Sequence, residues 1–158
     1  MALADQLLKQ ALLLVRKEPK HPAEASLRRA VSTAYYAVFH LLIEDACSTW
    51  ARKDVRDYLA RAFDHGTMKK ASGWAASRTY PNTSSQVLAK LHFVALAFVQ
   101  LQNDRHLADY SYSTKWDRVK ALAKVRQAEA AFTNWRAIRT EYAAQRYLVS
   151  LLSPYKED

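Results

Sequence analysis

The chain has 158 residues, enough for one domain with its own hydrophobic core, and its single Cys excludes an internal disulfide or a zinc site built from cysteines. With 2 Gly and 4 Pro, it contains few residues that interrupt helices. Its formal charge of +9 attracts polyanions such as RNA and DNA. The same charge would also suit an acidic protein partner, or would serve only to keep the protein soluble.

The first two predicted elements are helices separated by prolines. Apolar residues recur at helical spacing from Leu3, which predicts a helix over 2–17 that ends before the Pro19-Lys20-His21-Pro22 segment. A second helix is predicted over 23–50. Its apolar stripe consists of Leu27, Val31, Ala34, Tyr35, Val38, Phe39, Leu41 and Leu42. A stripe of this width indicates a helix that is buried over much of its circumference.

A shorter helix and a loop come next. The spacing of apolar residues from Val55 predicts a third helix over 53–68, with Gly66 at an early end or in a turn. The segment 72–85 contains Gly, Pro and Asn, which favour turns, and is predicted to be a long loop.

The fourth predicted helix, 85–103, is the most apolar part of the chain. Between Leu91 and Leu101 it is apolar on nearly every side, which predicts a central core helix. A short charged segment, 102–110, is expected to close this helix near the surface.

The last predicted helix begins near Thr114 and Asp117, which together resemble a capping box, and continues to about Leu152 with a break or bend at Thr140. No alternating pattern of β-branched residues competes with these helices. We therefore predict an all-α, up-and-down bundle of four to five helices, with residues 1–158 forming a single domain.

The sequence contains no segment of the length and apolar character that a membrane span requires. Its longest apolar run, Leu91 to Leu101, is shorter than the roughly 18 residues expected of a span. Asp5 and Lys9 interrupt the apolar start of the chain and no small-residue cleavage site follows, so we expect no signal peptide. We predict a cytoplasmic location and no membrane partner.

One polar stripe lies on the predicted second helix. Arg28, Ser32, Tyr36 and His40 recur every four residues and so share one face. Such a stripe can line a site, or it can be the part of an outer helix that touches water.

The segment 102–110 contains a second group of polar residues. Arg105 can bind phosphate through two parallel hydrogen bonds, and His106 can move a proton near neutral pH. Asp109 and Tyr110 follow directly. The alternative interpretation is a helix end at which the two basic residues complement the helix dipole and Asp109 pairs locally.

These segments together resemble the HEPN domain. The resemblance consists of Arg-Arg-Ala-Val-Ser-Thr-Ala-Tyr-Tyr-Ala-Val-Phe-His (Arg28 to His40), Asp64-His65-Gly66, and Arg105 leading into Ala108-Asp109-Tyr110. It covers roughly residues 5 to 150 and is most similar to small stand-alone prokaryotic members of the family.

The resemblance implies a four- to five-helix bundle that usually dimerises. In many HEPN proteins an Arg, followed after four to six residues by a His, cleaves RNA without a metal. The His assists proton transfer and the Arg stabilises the charged phosphorane. Such proteins are often toxins paired with a minimal nucleotidyltransferase antitoxin, or serve in antiphage defence. Other members act as binding or assembly modules.

The resemblance is incomplete at the catalytic position. Four residues separate Arg105 from Tyr110, which stands where the motif has His. Tyr112 matches a Tyr that often continues the motif. A tyrosine ordinarily has a pKa near 10 and is a poor base at neutral pH. His106 is close by, but it follows Arg105 directly and so does not stand at the position of the catalytic His.

Two functions therefore remain open. The first is an RNA- or nucleotide-binding module of a toxin–antitoxin or defence-type system, with the catalytic His replaced. Its expected ligand-binding residues are Arg105, Asp109, Tyr112, Tyr36 and His40. The alternative is an active, metal-independent RNase toxin in which Arg105 acts with His106 or Tyr110. For either function the resemblance implies a homodimer. We expect neither cofactor nor metal, since the sequence has no phosphate loop, zinc motif or acidic metal cluster.

Overall fold

The computed structural model describes residues 1–153 and, over that range, consists of seven α-helices without a β-strand. The helices are α1 (Leu3–Arg16), α2 (Glu24–Ser48), α3 (Lys53–Ala60), α4 (His65–Ala75), α5 (Ser85–Tyr110), α6 (Arg118–Ile138) and α7 (Tyr142–Leu152). The prediction of an all-α fold is confirmed. There are more helices than predicted because the third and the last predicted helices are each divided in two.

The chain forms two compact units, and α2, α5 and α6 each contribute to both. The first unit comprises Met1–Leu41 and Gln100–Phe132, and the second comprises Leu42–Val99 and the chain from Thr133 onward. Each unit has its own buried apolar residues. In the first unit they include Leu27, Val31, Tyr35, Leu101 and Val125, and in the second Leu42, Met68, Phe98, Trp135 and Tyr147.

In the first unit, Arg118 fixes the end of α1. Its guanidinium donates to the carbonyl oxygens of Val15 (3.1 Å) and Pro19 (2.6 Å), and also to that of Glu18. The last carbonyls of a helix have no partner inside it, so an arginine from α6 replaces the missing donors. This contact complements the prolines, which stop α1 from continuing.

In the second unit, α4 packs against α7 around a buried polar contact. The hydroxyls of Ser72 and Tyr147 lie 2.7 Å apart, and both residues are fully buried. Burial raises the pKa of the Tyr147 phenol above its usual value. The Trp135 ring packs against Tyr147, and its Nε1 donates to Asp45 at 2.6 Å. Buried polar groups of this unit are thus paired with one another, as an apolar core requires.

The predicted third helix is wrong in its extent. The structure has α3 over Lys53–Ala60 and a separate α4 over His65–Ala75, so the predicted loop over 72–85 begins too early. Asp64 starts α4, because its carboxylate accepts the backbone N–H of Thr67 at 2.8 Å. Gly66 therefore lies in the first turn of a helix and does not end one.

The prediction for α5 needs two corrections. This helix continues beyond residue 103 to Tyr110, so the whole charged segment 102–110 forms its last turns. It is also not buried on every side, because Phe93 and Leu96 are 39% and 47% exposed. Near-continuous apolar sequence does not reveal which side faces solvent, since the periodic signal is absent.

The last predicted helix is divided where a break was expected. Residues 139–141 separate α6 from α7, with a hydrogen bond from the Glu141 N–H to the Ile138 carbonyl at 2.8 Å. The predicted capping box at Thr114 is wrong: α6 starts at Arg118, and the Asp117 carboxylate caps it by accepting the Lys120 N–H at 2.8 Å. The Thr114 hydroxyl instead lies 2.9 Å from that of Ser111.

Candidate functional site

The polar stripe of α2 meets the C-terminal end of α5 within the first unit, and Arg28 makes the main connection. Its side chain is 21% exposed and forms an ion pair with Glu24 at 2.8 Å. The guanidinium also donates to four carbonyl oxygens, those of Leu107 (3.3 Å), Ala108 (2.8 Å), Ser111 (2.9 Å) and Thr114 (2.7 Å). Arg28 thus supplies donors to carbonyls at the end of α5 and holds the following turn in place.

Arg105 lies in the same region but points into the protein. Its side chain is 14% exposed, and its guanidinium carbon lies 5.3 Å from the ring centre of Tyr35 and 5.8 Å from that of Tyr36. Its ion pair with Asp109, one turn further along α5, is long at 3.8 Å. The Nε–H of Arg105 is buried and has no hydrogen-bond partner within residues 1–153. The guanidinium is therefore held mainly by aromatic faces.

Asp109 connects α5 to the polar stripe of α2. One carboxylate oxygen, Oδ2, accepts from the Ser32 hydroxyl at 3.3 Å and faces Arg105. The other, Oδ1, has no hydrogen-bond partner among the residues that the structure describes. The side chain is 27% exposed, so this oxygen belongs to a partly open surface. Of the two polar groups found in the sequence, the structure thus brings together Arg28, Ser32 and Tyr36 with Arg105 and Asp109.

The remaining predicted site residues lie on the exposed side. Tyr110 is 65% and Tyr112 is 96% exposed, and the exposed His106 packs its ring against Tyr110 at 5.1 Å. Neighbouring positions on a helix point in different directions, so His106 does not share the face of Arg105. His40, at the far end of the α2 stripe, is half-buried with its ring 5.4 Å from that of Phe39.

Beside these residues is a groove of about 350 Å³ between α2 and the turn that follows α5. Its polar lining includes Glu24, Arg28, Asp109, Tyr110, Tyr112 and Lys115. The hydrogen bond from Arg28 lowers the pKa of the Glu24 carboxyl. The sequence analysis missed Glu24 and Lys115. The four-residue spacing of Glu24 and Arg28 on a helix is a signal for their pairing, whereas no local pattern points to Lys115.

The Asp64-His65-Gly66 segment of the resemblance has a structural role. Asp64 caps α4, and the hydrogen bonds from Thr67 lower the pKa of its carboxyl. Within residues 1–153 no group of His, Cys, Asp and Glu side chains is arranged to hold a metal ion. In the same range, no helix is both long and apolar enough to cross a membrane.

Comparison of the chain with protein-family models, with curated proteins and with solved structures finds no match.

Proposed function

We propose that this chain is a HEPN-like module that binds RNA or a nucleotide at the end of α5 without cleaving it. The observation that carries the proposal is the exposed aromatic group His106, Tyr110 and Tyr112, next to the exposed Lys115. Unpaired bases stack on such rings, and a neighbouring lysine can contact the phosphate backbone. The overall charge of +9 supports the same class of ligand.

The geometry around Arg105 favours binding over cleavage. RNA cleavage of the HEPN type needs a proton-transfer group within hydrogen-bond reach of the same phosphate as the arginine. The groups that meet Arg105 are the Asp109 carboxylate and two tyrosine rings, whereas His106 packs with Tyr110 on a different face. Arg105 then contributes a largely buried positive charge beside Asp109.

The biological setting rests on the resemblance alone. A role in a toxin–antitoxin or defence-type system, a minimal nucleotidyltransferase partner and a homodimer all remain predictions. Genome context tests the toxin–antitoxin setting, because an adjacent gene for a nucleotidyltransferase is expected.

The proposed function is tested by anisotropy titration of a labelled, unstructured 12-nucleotide RNA with the purified chain at two salt concentrations. We expect the affinity to fall with salt, and Lys115→Ala to lower the slope of log K against log salt by about 0.7, the value for one phosphate contact on a single strand. Lys53→Ala is the matched control, since Lys53 is also exposed but lies on α3. Arg105→Ala is a poorer probe, because loss of its aromatic contacts is expected to cost about 0.5–2 kcal/mol of stability.

Absence of RNA binding would contradict RNA as the ligand and leave a nucleotide. Equal effects of the two lysine variants would contradict the placement of the RNA site at the end of α5. Gel analysis of the RNA after the titration tests the alternative function. Cleavage that is lost in His106→Ala or Tyr110→Phe would show an RNase, whereas intact RNA agrees with a binding module.

A further inference from the structure

The groove beside the α5 end has an unused acceptor in its wall. Asp109 contributes the oxygen Oδ1, which has no partner within the described residues, and an Oδ2 whose contacts, 3.3 Å to Ser32 and 3.8 Å to Arg105, are both long. A carboxylate has about four positions for incoming donors, so Asp109 retains capacity for a ligand. A partly buried carboxylate gains most from a ligand that offers donors to both oxygens.

The same groove has two tyrosine side chains in its lining. Tyr110 and Tyr112 both line it and are largely exposed, so their rings are accessible to a flat ligand. Its volume of about 350 Å³ lies in the range of small-molecule sites. Lys115, also in the lining, provides a cation for a phosphate attached to that ligand.

The charges of the groove favour a neutral base over a cationic ligand. Glu24 and Asp109 are balanced by Arg28 and Lys115 in the same lining, so the groove has no net negative charge. Arg28 is fully engaged with Glu24 and the carbonyls at the end of α5. The Glu24 carboxylate accepts from Arg28 and also from the Trp116 backbone N–H, so Asp109 is the less engaged of the two carboxylates in the groove.

We propose that this groove selects guanine, with the base stacked on Tyr110 or Tyr112 and its N1–H and N2–H groups donating to Asp109. This inference rests on the proposed function and specifies which base the site binds. Unpaired bases are read on their Watson–Crick edges, where guanine has two adjacent donors. Adenine and cytosine pair one amino donor with an acceptor nitrogen, and uracil has one N–H between two carbonyls. Guanine alone matches both oxygens of one carboxylate.

The first test is a calorimetric titration of the full chain with the monophosphates of guanosine, inosine, adenosine, cytidine and uridine. Inosine differs from guanosine only by loss of the N2 amino group. We expect guanosine monophosphate to bind about tenfold or more tightly than inosine monophosphate, which corresponds to one charge-assisted hydrogen bond. Equal affinities for these two nucleotides would overturn the proposal. This comparison uses the unmodified protein and does not depend on the folding of a variant.

The second test uses variants of the carboxylate that accepts from the base and of the tyrosines on which the base stacks. Asp109→Asn keeps the size of the side chain but removes an acceptor, and it should abolish the preference for guanosine while leaving weak binding of all nucleotides. Replacing both Tyr110 and Tyr112 by Ala should weaken the binding of every nucleotide by roughly 5- to 100-fold through lost stacking. Tyr58→Ala is the control, because Tyr58 is 73% exposed on α3 and does not line the groove. If Asp109→Asn still prefers guanosine monophosphate, Asp109 is not the group that selects guanine, and the proposal is wrong.

Failure of this inference can be distinguished from failure of the proposed function. If the 12-nucleotide RNA binds in a lysine- and salt-dependent way but all monophosphates bind alike, the base preference is wrong and RNA binding stands. If guanosine monophosphate binds selectively and the RNA does not bind, the groove is a nucleotide site and the RNA function is wrong.

Discussion

Two arginines of the first unit, Arg28 and Arg118, bind carbonyl oxygens that lie at the end of a helix. An α-helix leaves its last carbonyls without internal partners, and a guanidinium offers five donors in a rigid fork. Arg28 serves the end of α5 and Arg118 the end of α1. Because its partners include Ser111 and Thr114, Arg28 also sets the course of the turn that carries Tyr112.

Replacement of Arg28 by Met is expected to lower the free energy of unfolding by about 2–3 kcal/mol. Methionine keeps the apolar stem but removes the donors, which leaves partly buried carbonyls unpaired. Urea denaturation followed by circular dichroism measures the change. Arg29→Met is the matched control, since Arg29 is the exposed neighbour and should change stability by less than about 0.5 kcal/mol. Equal losses in the two variants would show that Arg28 does not hold the α5 end.

The helices α3 and α4 differ in what stabilises them. α3 has no buried residue, whereas α4 buries Met68, Ala71, Ser72 and Ala75 and has an Asp64 cap. Burial of an apolar face, more than local propensity, decides whether a short helix is stable. This explains why the glycines of α4 do not end it, although Gly73 counted as a breaker in the sequence.

Gly73→Ala is expected to stabilise the protein by about 0.5–1 kcal/mol. Gly73 lies inside α4, its φ is not positive, and a Cβ added there meets no atom within 4 Å. Alanine reduces the conformational entropy of the unfolded chain and favours the helix. A higher midpoint of urea denaturation would confirm this, and a lower midpoint would mean that the position is not open.

The stability of the whole molecule should depend on pH in the alkaline range. Burial raises the pKa values of Tyr147 and of Tyr80 above those of the unfolded chain. The folded state then holds its phenol protons while the unfolded state releases them, so the free energy of unfolding falls as the pH rises above about 10. Below that value the stabilisation is complete.

Tyr147→Phe should reduce this loss of stability between pH 8 and pH 10.5. The variant itself is expected to cost about 1–3 kcal/mol at neutral pH, because it leaves the Ser72 hydroxyl buried without its partner. Adding Ser72→Ala to this variant removes the unpaired hydroxyl and should recover part of the lost free energy of unfolding. Denaturation curves of the three proteins at the two pH values test both statements, and an unchanged pH dependence in Tyr147→Phe would assign the effect to other groups.

Local sequence patterns are sufficient to predict the helical character of the chain, the ends of α1 and α2 to within a few residues, and the break near Thr140. These features depend on helical periodicity and on prolines, which act over one or two turns. The same patterns also identify the polar residues at the end of α5 that form the candidate site, but not their arrangement.

The contacts that those residues make depend on how the folded chain packs. The Ser32–Asp109 contact joins positions 77 residues apart, and the contact from Arg28 to Thr114 spans 86 residues. Local sequence carries no signal at such separations. The stripe of Arg28 could therefore line a site or touch water, and Arg105 could bind phosphate or complement the helix dipole. Packing of α2 against the end of α5 buries the Arg105 guanidinium against tyrosine rings and leaves Asp109, Tyr110 and Tyr112 at the groove. Which polar groups stay available to a ligand is set by which ones the fold has already paired.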